Sequence, residues 1–175
     1  NMLRKINNFR KLKRALQSVF DQTIQPYEIL IINNGYENLN LYEITHLSGK
    51  NIKIINSVKN FHAGDGRNLG ASIATTDYLA FLDDDEFWEQ DYIKKTITII
   101  NKDKPDLLIS TLYDLDTNNI YKKINNLNLS KMYTFNPGIN GSNIVVLKKS
   151  LKEVDGYNNS LFPSEDKARA IDFIL

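Results

Sequence analysis

None of the 175 residues is cysteine. That absence excludes disulfides, thiolate metal centres and a cysteine nucleophile. Long apolar runs are missing as well. No stretch approaches the roughly 20 residues that span a bilayer, and the start of the sequence lacks the apolar segment of a secretory leader, so a cytoplasmic protein is expected. An excess of one charge is also absent. Twenty-two Lys+Arg stand against 21 Asp+Glu, a formal net charge of +1. No global field attracts nucleic acid, and none is expected as a partner. The hydrophobic share of 42% and the charged share of 25% are those of a soluble chain with an ordinary core. The length suits one domain.

The charge is unevenly spread. Arg4, Lys5, Arg10, Lys11, Lys13 and Arg14 occupy residues 1–14 without an acid. Six lysines (Lys122, Lys123, Lys131, Lys148, Lys149 and Lys152) lie between Thr117 and Lys152, again without an acid. Such segments are either solvated faces or contacts for a phosphate-bearing acceptor or for an anionic membrane surface at its inner face.

Hydrophobic spacing gives the organisation. Leu12, Ala15, Leu16, Val19 and Phe20 recur at helical intervals. The apolar run Glu28–Ile32 reads as a buried strand ending at Asn33-Asn34-Gly35, and Ile52–Ile55 as another. Leu41, Ile44 and Leu47 suggest a short helix between them. Gly64–Thr75 reads as a glycine-rich loop entering a helix, and Tyr78–Leu82 as a strand that ends on Asp83. A helix carrying Ile93, Ile97 and Ile100 follows, then a strand over 106–112, and a turn at Asp116-Thr117-Asn118-Asn119. A strand at 143–147, a helix at 148–154 stopped by Gly156, and a last helix from Ser164 complete the chain. Alternating strands and helices indicate an α/β protein with a largely parallel sheet, which binds ligands beyond the carboxyl ends of its strands.

Two acidic segments stand out. Asp83, Asp84, Asp85 and Glu86 directly follow an apolar strand. Acids in a row repel one another, and a cation relieves the repulsion. On an extended segment, Asp83 and Asp85 face the same way and suit one Mg²⁺ or Mn²⁺, which prefers oxygen ligands. An exposed acidic turn opening the next helix reads equally well. Ser164-Glu165-Asp166 has the composition of a capped helix start; its functional reading is a general base. Gly64-Asp65-Gly66-Arg67-Asn68-Leu69-Gly70 lacks the Gly-Lys-Ser/Thr ending of a P-loop. His46 and His62 show no metal-ligand spacing; His62 precedes the glycine segment, where it is a candidate to line a site.

In order, these segments resemble glycosyltransferase family 2. Asp21-Gln22-Thr23 matches the close of the family's first helix, and Pro26-Tyr27-Glu28-Ile29 the entry to its next strand. Asn33-Asn34-Gly35 falls where the family has Asp-Asp-Gly-Ser, and Ala63–Gly70 where it has a Gly-x-x-x-Ala-Arg-Asn-x-Gly loop. Phe81–Trp88 is similar to its Asp-x-Asp segment; Gly141-Ser142-Asn143, Val154–Tyr157 and Phe162–Asp166 are similar to the stretch leading to its Glu-Asp base. The resemblance implies an α/β GT-A (Rossmann-like) fold with a mixed, mainly parallel sheet flanked by helices, lacking its first strand in this chain. It implies one catalytic domain over 1–175, itself a fragment, with a nucleotide-sugar half at 1–105 and an acceptor half at 106–175.

By the same resemblance Asp85 ligates the metal, Mn²⁺ or Mg²⁺, and Asp83 supports it or contacts the ribose. Asn34, Arg67, Asp83 and Asp84 attend the nucleotide. Asp166 is the base, with Glu165 as the alternative. The implied reaction moves a sugar from a nucleotide diphosphate, UDP favoured, to a glycan, lipid-linked or protein hydroxyl with inversion, in polysaccharide or glycoconjugate synthesis. A sugar-phosphate nucleotidyltransferase, an Asp-x-Asp phosphatase and a domain that binds nucleotide without turnover are the rival readings.

Overall fold

The computed structural model describes residues 2–34, 39, 51–57, 61–114, 117, 119–120, 129–161 and 164–174. Gly35, the helix expected on Leu41, Ile44 and Leu47 with His46, Asp116 and Asn118 of the expected turn, Lys122, Lys123, Phe162 and Pro163 lie outside the described residues.

Helix α1 (Met2–Phe20) leads into strand β1 (Ile29–Asn33). Its apolar stripe does what the spacing predicts: Leu16 and Ile31 form a buried cluster with Leu12, Phe20, Ile29, Ile52 and Ile54. Strand β2 (Ile52–Asn56) pairs parallel with β1, Ile29 opposite Ile52 and Asn33 opposite Asn56. Helix α2 (Ala63–Ile73) and strand β3 (Tyr78–Ala80) follow. The glycine-rich segment is thus not a loop, because the helix already begins at Ala63. Gly66 and Gly70, one turn apart, both face the Ile32 side chain. Packing of that face on β1 compensates for the roughly 1 kcal/mol by which each glycine disfavours a helix.

After helix α3 (Tyr92–Asp103) come β4 (Leu107–Ile109), a small antiparallel pair β5 (Tyr113–Asp114) and β6 (Asn119–Ile120), and helix α4 (Leu129–Thr134), which the spacing did not announce. A 3-10 turn at Gly141–Asn143 enters β7 (Ile144–Leu147), followed by α5 (Lys148–Glu153), a second 3-10 turn at Asn159–Leu161 and α6 (Glu165–Asp172).

The strands are mixed in direction, and the expectation of a largely parallel sheet needs qualification. Strand β7 lies between β3 and β4, antiparallel to both. The cause is local. The chain leaves β4 at Ile109 and returns through Asn143, whose carbonyl accepts from the Ser110 N–H at 2.9 Å. β7 therefore starts where β4 stops and must run back along it. Ile144, Val146, Leu79, Met132, Ile139, Leu151, Tyr157 and Ala170 make the main core around these strands.

Candidate active site

The acidic segment begins where β3 gives out. Phe81 still donates to the Ile144 carbonyl at 3.3 Å, and the chain then turns at Asp84-Asp85, closed by Glu86 N–H on the Asp83 carbonyl at 3.3 Å. The extended geometry expected over 83–85 is therefore not what the chain adopts, and the two flanking aspartates reach different partners. Asp83 points inward: Arg67 Nη2 donates to its Oδ1 at 2.9 Å and Oδ2 at 3.2 Å. Asp85 is exposed: Lys11 Nζ stands 3.3 Å from its Oδ2, and Arg14 Nη2 donates to its backbone carbonyl at 2.6 Å. Asp84 lies between them. Loss of water in the crowded turn, then the charges of Asp85 and Asp83, push its carboxyl above the usual range, while Lys11 opposes.

The turn is held from behind. The Asp83 N–H donates to Ser142 Oγ at 2.8 Å, and the Trp88 indole donates to the Ser142 carbonyl at 3.1 Å. Trp88 stacks on Tyr92, ring centroids 4.6 Å apart. Gln22 accepts from the Ile93 N–H through Oε1 and donates to the Glu89 carbonyl, while Thr23 donates to Asp91 Oδ1. The Gln-Thr pair at the end of α1 thus fixes the segment running from the acids into α3.

The second acid comes from α6. Arg67, buried on α2, donates through Nη1 to Asp166 Oδ1 at 2.9 Å while Nη2 holds Asp83. One guanidinium therefore joins acids that lie 83 residues apart in sequence, 166 − 83. The Tyr157 ring stacks under it with its centroid 5.4 Å from Cζ. Burial pushes the Asp166 carboxyl up, Arg67 pulls it back, and Glu165 and Asp83 push again, so that it stands at about 6. Glu165 is buried, and its Oε2 has no hydrogen-bond partner.

Two glycines are required by close approach. A Cβ on Gly141 would lie 1.7 Å from Arg67 Nη2. Gly156 has φ +66°, and a Cβ there would fall 2.5 Å from Asn68 Oδ1, which accepts the Tyr157 N–H at 2.7 Å. Asn68 Nδ2 donates back to the Tyr157 carbonyl at 2.9 Å.

Of the residues singled out by sequence, the structure brings together Arg67, Asp83 and Asp166, with Asp84, Asp85 and Glu165 as their chain neighbours. Asn34 sits just beyond the end of β1 and spends its amide N–H on the Phe61 carbonyl at 2.8 Å. His62 is exposed at the start of α2. The sequence reading gave no role to Ser142, Gly141 or Asn143. Asn143 donates to the Ser110 and Gly138 carbonyls, 2.8 Å each, and accepts from the Asn140 N–H at 3.0 Å. The signal was a Gly-Ser-Asn trio just ahead of an apolar strand, residues small enough to admit other side chains.

The carboxylates also bear on metal binding. Among the described residues, no three or more His, Cys, Asp or Glu converge as a ligand group. A hard cation that travels with a diphosphate needs only one or two protein carboxylates, the rest of its shell being phosphate and water. Asp85 suits that part: its carboxylate is exposed, and a cationic ammonium already stands against it. The donor chemistry fits Mg²⁺ or Mn²⁺.

A strand-end acid turn thus meets a buried arginine and a second acid on an α/β frame of mixed strands, the GT-A (Rossmann-like) fold. Residues 6–157 match the family described as Glycosyl transferase family 2, and the chain belongs to that family. An uncharacterized glycosyltransferase of Rickettsia felis is 26% identical over 172 residues, covering 91% of this chain and 28% of its own length. The succinoglycan biosynthesis protein ExoW of Rhizobium meliloti is 33% identical over 86 residues, 47% of this chain and 27% of its own. The TarS 1-349 structure from S. aureus superposes with a TM-score of 0.76 at 18% identity, covering 95% of this chain and 52% of that one, and supports the fold. The same protein is also solved in complex with UDP-GlcNAc. This chain thus spans under a third of the length of these curated relatives.

Proposed function

We propose that the protein is a metal-dependent inverting glycosyltransferase that moves a sugar from a UDP-sugar to a hydroxyl acceptor in cell-surface polysaccharide or glycoconjugate synthesis. The observation that carries this reading is the meeting of Asp83, from the acid turn, with Asp166, from the start of α6, on the single buried Arg67. Family membership supplies the reaction class. The ExoW name and the UDP-GlcNAc complex of TarS favour polysaccharide synthesis and a UDP donor.

In this reading Asp85 would hold the cation, with Asp83 as its support, and a bound cation would supply neutralising charge for the diphosphate. Asp166 takes the proton from the acceptor hydroxyl as its oxygen attacks the anomeric carbon. The bond from that carbon to the diphosphate oxygen breaks, UDP leaves, and the opposite-face attack inverts the centre. A carboxyl standing at about 6 suits the task, being mostly ionised at neutral pH yet basic enough to accept a proton. Glu165 is the alternative base. Asn34 and Asp84 are assigned to the nucleotide. The acceptor is a glycan, lipid-linked or protein hydroxyl.

Among the described residues no helix is long and apolar enough to cross a membrane. A cytoplasmic working place is proposed, with the basic segments as contacts for an anionic surface.

The test is calorimetric. UDP binding to the full chain is expected to require Mn²⁺ or Mg²⁺ and to be lost in Asp85→Asn. Equal affinity with and without a chelator, in folded protein, would remove the metal from this reading.

A further inference from the structure

We infer that Arg67 is a positioning residue: it holds Asp166 at a fixed distance from the acid turn through a two-pronged bridge, and Gly141 exists to make room for it. The inference rests on the reading of Asp166 as the base. It departs from the resemblance, which sends Arg67 to the nucleotide.

The guanidinium is enclosed on four sides. Nη1 is committed to Asp166 Oδ1 at 2.9 Å and Nη2 to both oxygens of Asp83, at 2.9 and 3.2 Å. Tyr157 covers one face. Gly141 closes the remaining side so tightly that no side chain fits. The Arg67 side chain is 7% exposed, so its charge stays with the two carboxylates and not with a ligand in solvent. A planar fork fixes both partners in direction as well as distance, which a lysine ammonium cannot do. Ser142, next to Gly141, takes the Asp83 N–H. Arg67 from α2 and the Gly141-Ser142 turn thereby set one spacing, between the acid that faces the donor and the acid that faces the acceptor. Rate depends steeply on such spacing, because an ångström of misplacement is felt as about a hundredfold.

The test uses Gly141→Ala, which displaces the guanidinium without removing any charge, and Arg67→Lys, which keeps the charge and loses the fork. Each is made in the full chain, alone and with Asp166→Asn. Turnover is read as UDP release from UDP-N-acetylglucosamine, and UDP affinity by calorimetry with Mn²⁺. Each single variant is expected to lower kcat by about tenfold or more while UDP affinity stays within about threefold. On the Asp166→Asn background the same change is expected to cost less than about threefold, since a residue acting through the base loses its effect once the base is gone. Equal losses on both backgrounds overturn the inference, as does a loss of UDP affinity beyond about tenfold, which returns Arg67 to the nucleotide. Where Gly141→Ala fails to fold, Arg67→Lys carries the same cycle. Near-normal turnover in Asp166→Asn alone strikes instead at the assignment of the base, so the two failures are distinguishable.

Discussion

Two ion pairs flank the candidate site, and they differ in almost everything but sign. Arg67 is buried and holds Asp83 and Asp166 from two other parts of the chain. Lys11 with Asp85 is half exposed on both sides and held by one contact. An exposed pair contributes about 0–1 kcal/mol, so Asp85 can give up its lysine for another cation at little cost. Removing the buried arginine costs about 3–5 kcal/mol because it leaves its acids without a cation. The difference separates two tasks that a run of acids in sequence does not separate. The exposed acid is the exchangeable one, suited to a cation that arrives and departs with a diphosphate. The acids held by Arg67 are fixed points.

The largest break in that comparison is Asp166→Asn. Turnover is expected to fall about 10²–10⁴-fold, the usual contribution of a general base, with UDP binding retained. Stability is expected to move the other way. The Asp166 carboxyl stands at about 6 in the fold against 3.8 for an ordinary aspartate. A raised acid contributes stability that is fully present below pH 3.8 and is lost as pH rises through about 6. The gap of about two pKa units, at about 1.4 kcal/mol each, sets the loss near 3 kcal/mol at most. Asp166→Asn removes that dependence. Melting curves between pH 4 and 7 should therefore be flatter in the variant, and at pH 7 the variant should melt no lower than its parent. A variant that melts lower at pH 7 would favour the helix-start role for this acid over the catalytic one.

Arg67→Met is the next break. It removes the fork and leaves Asp83 and Asp166 without their cation. A loss of about 3 kcal/mol in chemical denaturation is expected, the low end of the buried-pair range, because Asp166 can take up a proton to relieve itself. The loss should shrink toward pH 5 as that proton binds. A pH-independent loss would mean that packing on Tyr157, and not charge, is what Arg67 supplies.

Much of the frame was legible because its signals are local. The stripe on α1, the run of β1 and the end of α3 before Pro105 are read from neighbours in sequence. The direction of β7 was not, because it depends on where the excursion between Ser110 and Asn143 closes. The helical state of Gly64–Gly70 was missed for a similar reason: intrinsic propensity reads glycines as loop, and Ile32 on another strand decides otherwise. The acids of the site were visible as short motifs. What they do to one another was not, since Asp83 and Asp85 look equivalent in sequence and become different only when Arg67 takes one and Lys11 the other. The Gly141-Ser142-Asn143 trio was visible ahead of an apolar strand, but not that Arg67 and Asp83 pack against it.

Lys11→Gln sharpens the exposed side with the smallest effect. The pair it removes is solvated, so stability should change by less than about 1 kcal/mol. Binding is the informative readout. With Lys11 against Asp85 Oδ2, an arriving Mn²⁺ must displace an ammonium. Its removal should therefore strengthen metal-dependent UDP binding by roughly two- to fivefold at low ionic strength, the equivalent of a pair worth about 0.5–1 kcal/mol. The gain should fade as salt rises past about 0.15 M, where the Debye length drops to about 8 Å and the competing charge is screened. The opposite sign has a definite meaning. Weaker UDP binding in Lys11→Gln, with Mn²⁺ present, would show that the lysine swings from Asp85 to the diphosphate once the cation replaces it, and would make Lys11 part of the donor site.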